Sequence, residues 1–387
     1  MYPTLYDAFL DLFGISIPFL KLVQSFGFFV AMAFLAAMYT LTSEIVRREK
    51  EGRLLGRMEK EWTGKPLPIS EYLLSALIGF VIGHKLVGII LNFDLATADT
   101  QAYILSLQGS LAGGILFAAI GVYLTYKEDP KFLGQTPELV DRMVMPHEWV
   151  GNITMIAVVA GILGAKIFHN LENPQEFAED PIDALTSFSG LTFYGGLICA
   201  AAGIIYYARK KGIKVLHLCD STAPGLILAY GIGRIGCQVA GDGDWGIPND
   251  MPKPEWMSFL PDWTWAYNYP NNVHHINLKA DFIGMGLESI SGNAFPTPLY
   301  ETTMALLIFA GLWITRKHFT TPGTLFSVYL IFNGIERFLI EQIRVNVKFE
   351  FLGMMVTQAQ LISTTLILLG LFGLVWLKRN PTKLANW

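Results

Sequence analysis

The chain has 387 residues, of which 52% are hydrophobic and 16% charged, and its mean hydropathy is +0.41. That composition excludes a soluble multidomain protein and points to a polytopic membrane protein. Its 28 Lys and Arg against 32 Asp and Glu give a net charge of −4, and no basic patch suits nucleic acid.

A bilayer-spanning helix needs about 20 mostly apolar residues. The stretch 7–22 is apolar but broken by Gly14 and Pro18, and it reads as interfacial or re-entrant. It lacks the basic region and small-residue cleavage site of a removable signal peptide. Windows of spanning length follow near 23–45, 72–91, 109–127, 150–168, 190–208, 220–239, 299–315, 323–343 and 357–377. Basic segments follow the first, fifth, seventh and ninth of these, at 47–60, 208–214, 316–318 and 378–383. The alternate loops 92–108 and 169–189 carry no Lys or Arg, and 240–298 has only Lys253 and Lys279. The second of these loops is acidic, with Glu172, Glu176, Glu179, Asp180 and Asp183. The positive-inside rule then predicts an amino terminus outside and a carboxyl terminus in the cytoplasm. The mixed-charge loop 128–149 is cytoplasmic by parity. The expected fold is an all-α, polytopic transmembrane bundle of about nine spans, one integral membrane domain over 1–387.

Two features depart from a plain bundle. The loop 240–298 holds Trp245, Trp256, Trp263, Trp265, Tyr267 and Tyr269, which suits an outer-face cap at headgroup level. There is also an internal repeat: 79–92 resembles 160–173, and 111–127 resembles 193–210. Lys85 falls on Lys166, and Gly113-Gly114 on Gly195-Gly196. A duplicated helix pair over 70–127 is the expectation, with Ala112 where the second copy has Tyr194.

Two arginines sit inside apolar runs, Arg234 in 225–241 and Arg337 in 323–344. A guanidinium at membrane depth costs at least a few kcal/mol, so it faces a partner or a polar cavity. Two of them imply an anionic guest, and a phospholipid headgroup is the abundant one. Asn333, Arg337, Glu341 and Arg344 share one helical face, a polar stripe suited to lining a cavity. Glycines around Arg234 thin its helix, which runs into the polar rim Gly241-Asp242-Gly243-Asp244-Trp245-Gly246. Tyr194 precedes Gly195-Gly196 and is a candidate hydrogen-bond donor or proton acceptor, beside its plainer reading as an interfacial anchor. Cys199, Cys219 and Cys237 read as buried thiols rather than a disulfide framework. His84 and His169 match no metal-ligand spacing, so neither metal nor cofactor is expected.

These motifs resemble, in order, those of the bacterial phosphatidylglycerol–prolipoprotein diacylglyceryl transferases. The family's FHGGL-type stretch appears as FYGGL (193–197) and its glycine-arginine signature as GRIGCQVAGDGDWG (233–246). An HPSQLYE-like element appears as FPTPLYE (295–301), and a YGxxRFxxExxR-like element as NGIERFLIEQIR (333–344). The GQ…S element appears as QAQLIS (358–363). The resemblance implies that Arg234 and Arg337 are the two essential arginines. It implies that Asp242, near the signature glutamate, and Tyr194, in the histidine position, are catalytic candidates. Gly195, Gly196, Gly246, Asn333, Glu341 and Arg344 would help to surround phosphatidylglycerol and the lipobox cysteine of a prolipoprotein signal peptide. The implied reaction moves a diacylglyceryl group to that cysteine, at the bacterial inner membrane and in contact with membrane lipid. The departures are Tyr194 for histidine, Cys237 for asparagine, Asn333 for tyrosine, Phe26 for the first-span tyrosine, and the additional helix pair. A catalytically silent membrane paralogue that binds phospholipid or prolipoprotein is the alternative.

Overall fold

In the computed structural model, described for residues 1–134, 136–186, 192–351 and 353–380, the chain is mostly helical. The helices are α1 (Leu5–Phe13), α2 (Ser25–Lys50), α3 (Ile69–Leu91), α4 (Phe93–Ala98), α5 (Thr100–Leu105), α6 (Leu111–Glu128), α7 (Val150–Glu172) and α8 (Pro174–Glu179). They continue as α9 (Pro181–Thr186), α10 (Phe193–Lys211), α11 (Val215–Ala240), α12 (Leu278–Gly284), α13 (Thr297–Thr315), α14 (Thr324–Ile340) and α15 (Gln358–Arg379). Two short antiparallel ribbons add to the expected helices. One pairs β1 (Arg57–Thr63) with β2 (Glu138–Val144), and the other pairs β3 (Phe349–Phe351) with β4 (Met354–Val356). The side chains of Glu176 and Asp183, and the basic tail beyond Asn380, lie outside the described residues.

Among the described residues, six helices are long and apolar enough to cross a membrane: α2, α3, α7 with its leading turn, α11, α13 and α15. The other three expected spans are helices of 18, 19 and 17 residues, α6, α10 and α14. The stretch expected to be re-entrant holds α1, closed by Gly14 in the left-handed region, and a 3-10 turn over Pro18–Leu22.

Packing divides the chain into two compact units. One comprises 4–23 and 57–144, and within it α3 packs along α6. The other comprises 1–3, 24–56 and 145–387. In this larger unit α11 lies between α2 and α13, α14 packs on α15, and α7 on α10. The interior of α11 is thinned where it meets α13. A Cβ on Gly231 would stand 3.0 Å from the Ala305 methyl, so a side chain there would need the neighbour to give by a few tenths of an ångström. Ile227, Ala305, Leu312 and Leu325 form the apolar core of this contact.

A buried ionic clamp closes one end of the larger unit. Asp220 near the start of α11 is fully buried and accepts the Gly323 and Phe326 N–H groups, each at 2.9 Å. It thereby caps the amino end of α14, whose first N–H groups have no partner within the helix. Arg48 at the end of α2, also buried, lies 3.5 Å from Asp220. Glu44, one turn earlier, pairs with Arg316 beyond α13 at 2.7 Å. Four helices are thus held by charges that have left water.

The segment 241–296 folds into a cap with its own core of Trp245, Tyr269, Leu278, Phe282 and Ala294. The aromatics expected at headgroup level therefore divide. Trp245 and Tyr269 are interior, because their rings pack on one another, while Trp256 and Trp263 are exposed. The Tyr269 hydroxyl donates to Gln238 at 3.0 Å and ties the cap to the end of α11.

Asp220→Ala should leave α14 uncapped and Arg48 with only its 3.7 Å contact to Glu44 as an ion pair, costing about 3–5 kcal/mol as for other broken buried pairs. Thermal unfolding in detergent would show this as a lowered Tm; an unchanged Tm would reject the clamp.

Candidate functional site

The opposite end of the larger unit gathers the carboxyl end of α11, the first turn of α13, the carboxyl end of α14 and the start of the cap. The neighbouring chain directions alternate, so these residues meet although they lie up to 110 positions apart. Two backbone joints fix the meeting. Gly246 donates its N–H to the Phe295 carbonyl, and Ile247 donates to the Ile343 carbonyl, each at 2.9 Å. Gly246 is required there, since a Cβ would lie 2.5 Å from the Ile343 carbonyl oxygen. The Thr297 hydroxyl also donates to the Asp244 carbonyl at 2.6 Å, which joins the first residue of α13 to the rim.

Three guanidiniums converge on one carboxylate. Glu301, fully buried in the first turns of α13, lies 2.8 Å from Arg234, 3.2 Å from Arg337 and 3.3 Å from Arg344. Asp244 is shared by Arg234 and Arg344. Glu341 pairs with Arg337 at 2.9 Å and accepts the Asn346 amide at 2.6 Å. Three positive and three negative groups therefore balance, as a low-dielectric site requires. The arginines stay 13–23% exposed while Glu301 and Glu341 are sealed, so the open edge of the cluster presents three guanidiniums and the 28% exposed Asp244. Planar guanidiniums so placed suit bidentate contact with a phosphate.

The rim carboxylates differ in their surroundings. Burial pushes the Asp244 carboxyl up, but Arg234 and Arg344 outweigh it and hold it below the usual range. Burial raises Asp242, and the neighbouring Asp244 charge raises it further. Arg344, which burial alone would lower, is raised by Asp244 and Glu301. Cys237, Asp242 and Asp244 each bring a ligand atom within 4.8 Å of the others, but Asp244 is already engaged by two guanidiniums.

The structure brings together Arg234, Arg337, Glu341 and Arg344 as read from the sequence. Tyr194 is half-buried at the start of α10, within electrostatic reach of Arg337, Glu341 and Arg344. Asn333 is one turn before Arg337 on α14. Gly195 and Gly196 lie at the α7–α10 crossing, against the backbone oxygens of Gly164 and Gly161. Sequence reasoning missed Glu301, Asp244, Tyr230 and Glu336. The signal for Glu301 was the acidic close of FPTPLYE at the head of an apolar run. For Glu336 it was a second acid inside the α14 run, beside the arginine that drew attention. Tyr230, one turn before Arg234, carries that guanidinium over its ring at 5.3 Å.

Fold and site define a helical membrane protein with a buried arginine–carboxylate cluster at one end of its spans. Residues 136–376 match the family model described as prolipoprotein diacylglyceryl transferase, and the chain belongs to that family. The phosphatidylglycerol–prolipoprotein diacylglyceryl transferase of Corynebacterium efficiens is 32% identical over 204 residues, covering 51% of this chain and 59% of its own length. The transferase of Clostridium tetani is 28% identical over 227 residues, covering 58% of this chain and 80% of its own. That of Shouchella clausii is 26% identical over 277 residues, covering 70% and 87%.

The unfolded aspartate titrates near pH 3.9. Stabilisation by Asp244 is therefore complete above about pH 4 and lost as pH falls through its lower folded value. Asp244→Asn should flatten that part of the acid limb of Tm against pH. An unaltered limb would show that the arginine pairs add nothing net.

Proposed function

We propose that the chain transfers the diacylglyceryl group of phosphatidylglycerol to the lipobox cysteine of prolipoproteins. The observation that carries this reading is the convergence of Arg234, Arg337 and Arg344 on Glu301 in a chain of this family. The cysteine sulfur attacks the glyceryl carbon that bears the phosphate ester. The carbon–oxygen bond breaks, a thioether forms and glycerol phosphate leaves. Negative charge grows on the departing phosphate, so donors already fixed in place favour the transition state over the ground state. Arg234 and Arg337 contact that phosphate, with Arg344 and Glu341 orienting them. Asn333 borders the substrates, and Gly195, Gly196 and Gly246 shape the site through the close backbone approaches they allow. Tyr194 and Asp242 are candidates for handling the thiol proton.

The proposed setting is the bacterial inner membrane, with nine spans, the site and its cap outside and the carboxyl terminus inside. Basic last turns in α2, α10 and α15 support that orientation. The pair α3–α6 is proposed as a duplicate of α7–α10. A Cβ on Gly83 would collide with the Gly113 carbonyl at 2.3 Å, and one on Gly164 with the Gly195 carbonyl at 2.6 Å. Ser110 N–H donates to the His84 carbonyl where Thr192 N–H donates to that of Ala165. Both first helices end on asparagines whose amides reach back one turn, Asn92 to Gly88 and Asn173 to His169.

A binding-only paralogue is the second reading, favoured by Tyr194 and Cys237 in place of the family's histidine and asparagine. The deciding experiment incubates the purified protein in phosphatidylglycerol vesicles with a lipobox peptide and follows the diacylglyceryl adduct by mass spectrometry. Arg234→Ala and Arg337→Ala should each reduce turnover by about 10²-fold or more, the loss typical of one preorganised donor. No adduct from the wild type, with phosphatidylglycerol still retained, would establish the binder instead.

A further inference from the structure

Glu336 is a buried carboxyl that the arginine cluster does not use. It adjoins Arg337 on α14, and successive helix residues point about 100° apart. Arg337 faces Glu301 and Glu341, whereas Glu336 faces Tyr230 of α11. Glu336 is 2% exposed, and its Oε2 has no hydrogen-bond partner. Its Oε1 accepts from the Tyr230 hydroxyl at 3.4 Å, a long bond of the kind that tightens when substrate arrives. The charged and titratable groups around it are Tyr230 and Arg234 from α11, Glu301 from α13, and Arg337 and Tyr329 from its own helix. All three arginines already have acidic partners. A further carboxyl in so dry a place, with no cation of its own, is costly to keep for packing alone.

We infer that Tyr230 and Glu336 take the proton from the lipobox thiol, Tyr230 meeting the sulfur and Glu336 receiving the charge. The inference rests on the transferase reading above. The thiol proton passes to the Tyr230 oxygen as the Tyr230 proton passes to the Glu336 carboxylate. The sulfur electron pair forms the carbon–sulfur bond. The carbon–oxygen electrons go to the phosphate, which leaves as the glycerol phosphate dianion. One negative charge disappears at Glu336 as one appears at the phosphate beside the arginines. The net charge of the buried site stays constant through the step, which a low dielectric favours. The relay supplies a proton acceptor in a chain that has Tyr194 where its family has histidine.

The test measures kcat and KM across pH for the full-length protein in phosphatidylglycerol vesicles with a lipobox peptide. Glu336→Gln and Tyr230→Phe are compared with the wild type. Both variants should lose about 10²- to 10⁴-fold in kcat, the usual worth of a positioned base. KM for phosphatidylglycerol should stay within about threefold, as for a group that acts only in the transition state. The lost turnover should recover as pH rises towards about 8.5, where the thiol ionises unaided. A structural role would lower kcat at every pH without that recovery, and would overturn the inference. So would wild-type kcat in either variant. Should Glu336→Gln not fold, Tyr230→Phe decides, because it keeps the carboxyl and the ring beneath Arg234. A wild type that forms no adduct would instead remove the transferase reading itself.

Discussion

Everything at the working end of the larger unit depends on Glu301. Three guanidiniums cannot be drawn together out of water unless a counter-charge sits between them. Glu301 reaches all three because α13 begins at Thr297, with Pro298 in its first turn where a missing N–H costs nothing. That start is fixed in turn by the Thr297 bond to Asp244 and by the Gly246–Phe295 joint. Rim, helix start and arginines therefore form one construction. Loss of any joint would loosen the others.

The consequence for chemistry is preorganisation. An arginine free in solvent must be gathered around a developing charge as it forms. Here the guanidiniums are held in advance, from the inner side by Glu301 and Glu341 and at the open edge by Asp244. The clamp at the far end serves the same purpose from a distance. Asp220 fixes where α14 starts, and the helix then carries Arg337 and Glu336 to set heights against α11 and α13. A site built on rigid helices holds its geometry better than one on loops.

Much of this was legible in the sequence, for physical reasons that differ by residue. Arg234 and Arg337 were conspicuous because charge inside apolar runs demands explanation. Glu341 and Arg344 followed from helical spacing, which places them on the face of Arg337. Glu301 was harder, since it stands at a helix start where an acid is unremarkable. Asp244 was obscured by Asp242 two residues earlier, and only the chain path shows which of them meets the arginines. Tyr230 and Glu336 were hidden because their partnership crosses between helices, which no spacing rule reports. The ribbons were missed because β1 and β2 are 75 positions apart at their nearest ends, and each alone is a short charged segment.

That first ribbon also sets how the segment 57–144 begins and ends. Its outermost pair joins Arg57 to Val144, so the two ends of the segment 57–144 emerge side by side. Gly56 and Met145, the residues that flank it, belong to the larger unit. The two covalent ends of 57–144 are therefore held together by the ladder itself, while residues 4–23 of the same unit are joined to the chain elsewhere. The ribbon is thus a backbone clasp that fixes where 57–144 begins relative to where it ends, whatever the helices between them do.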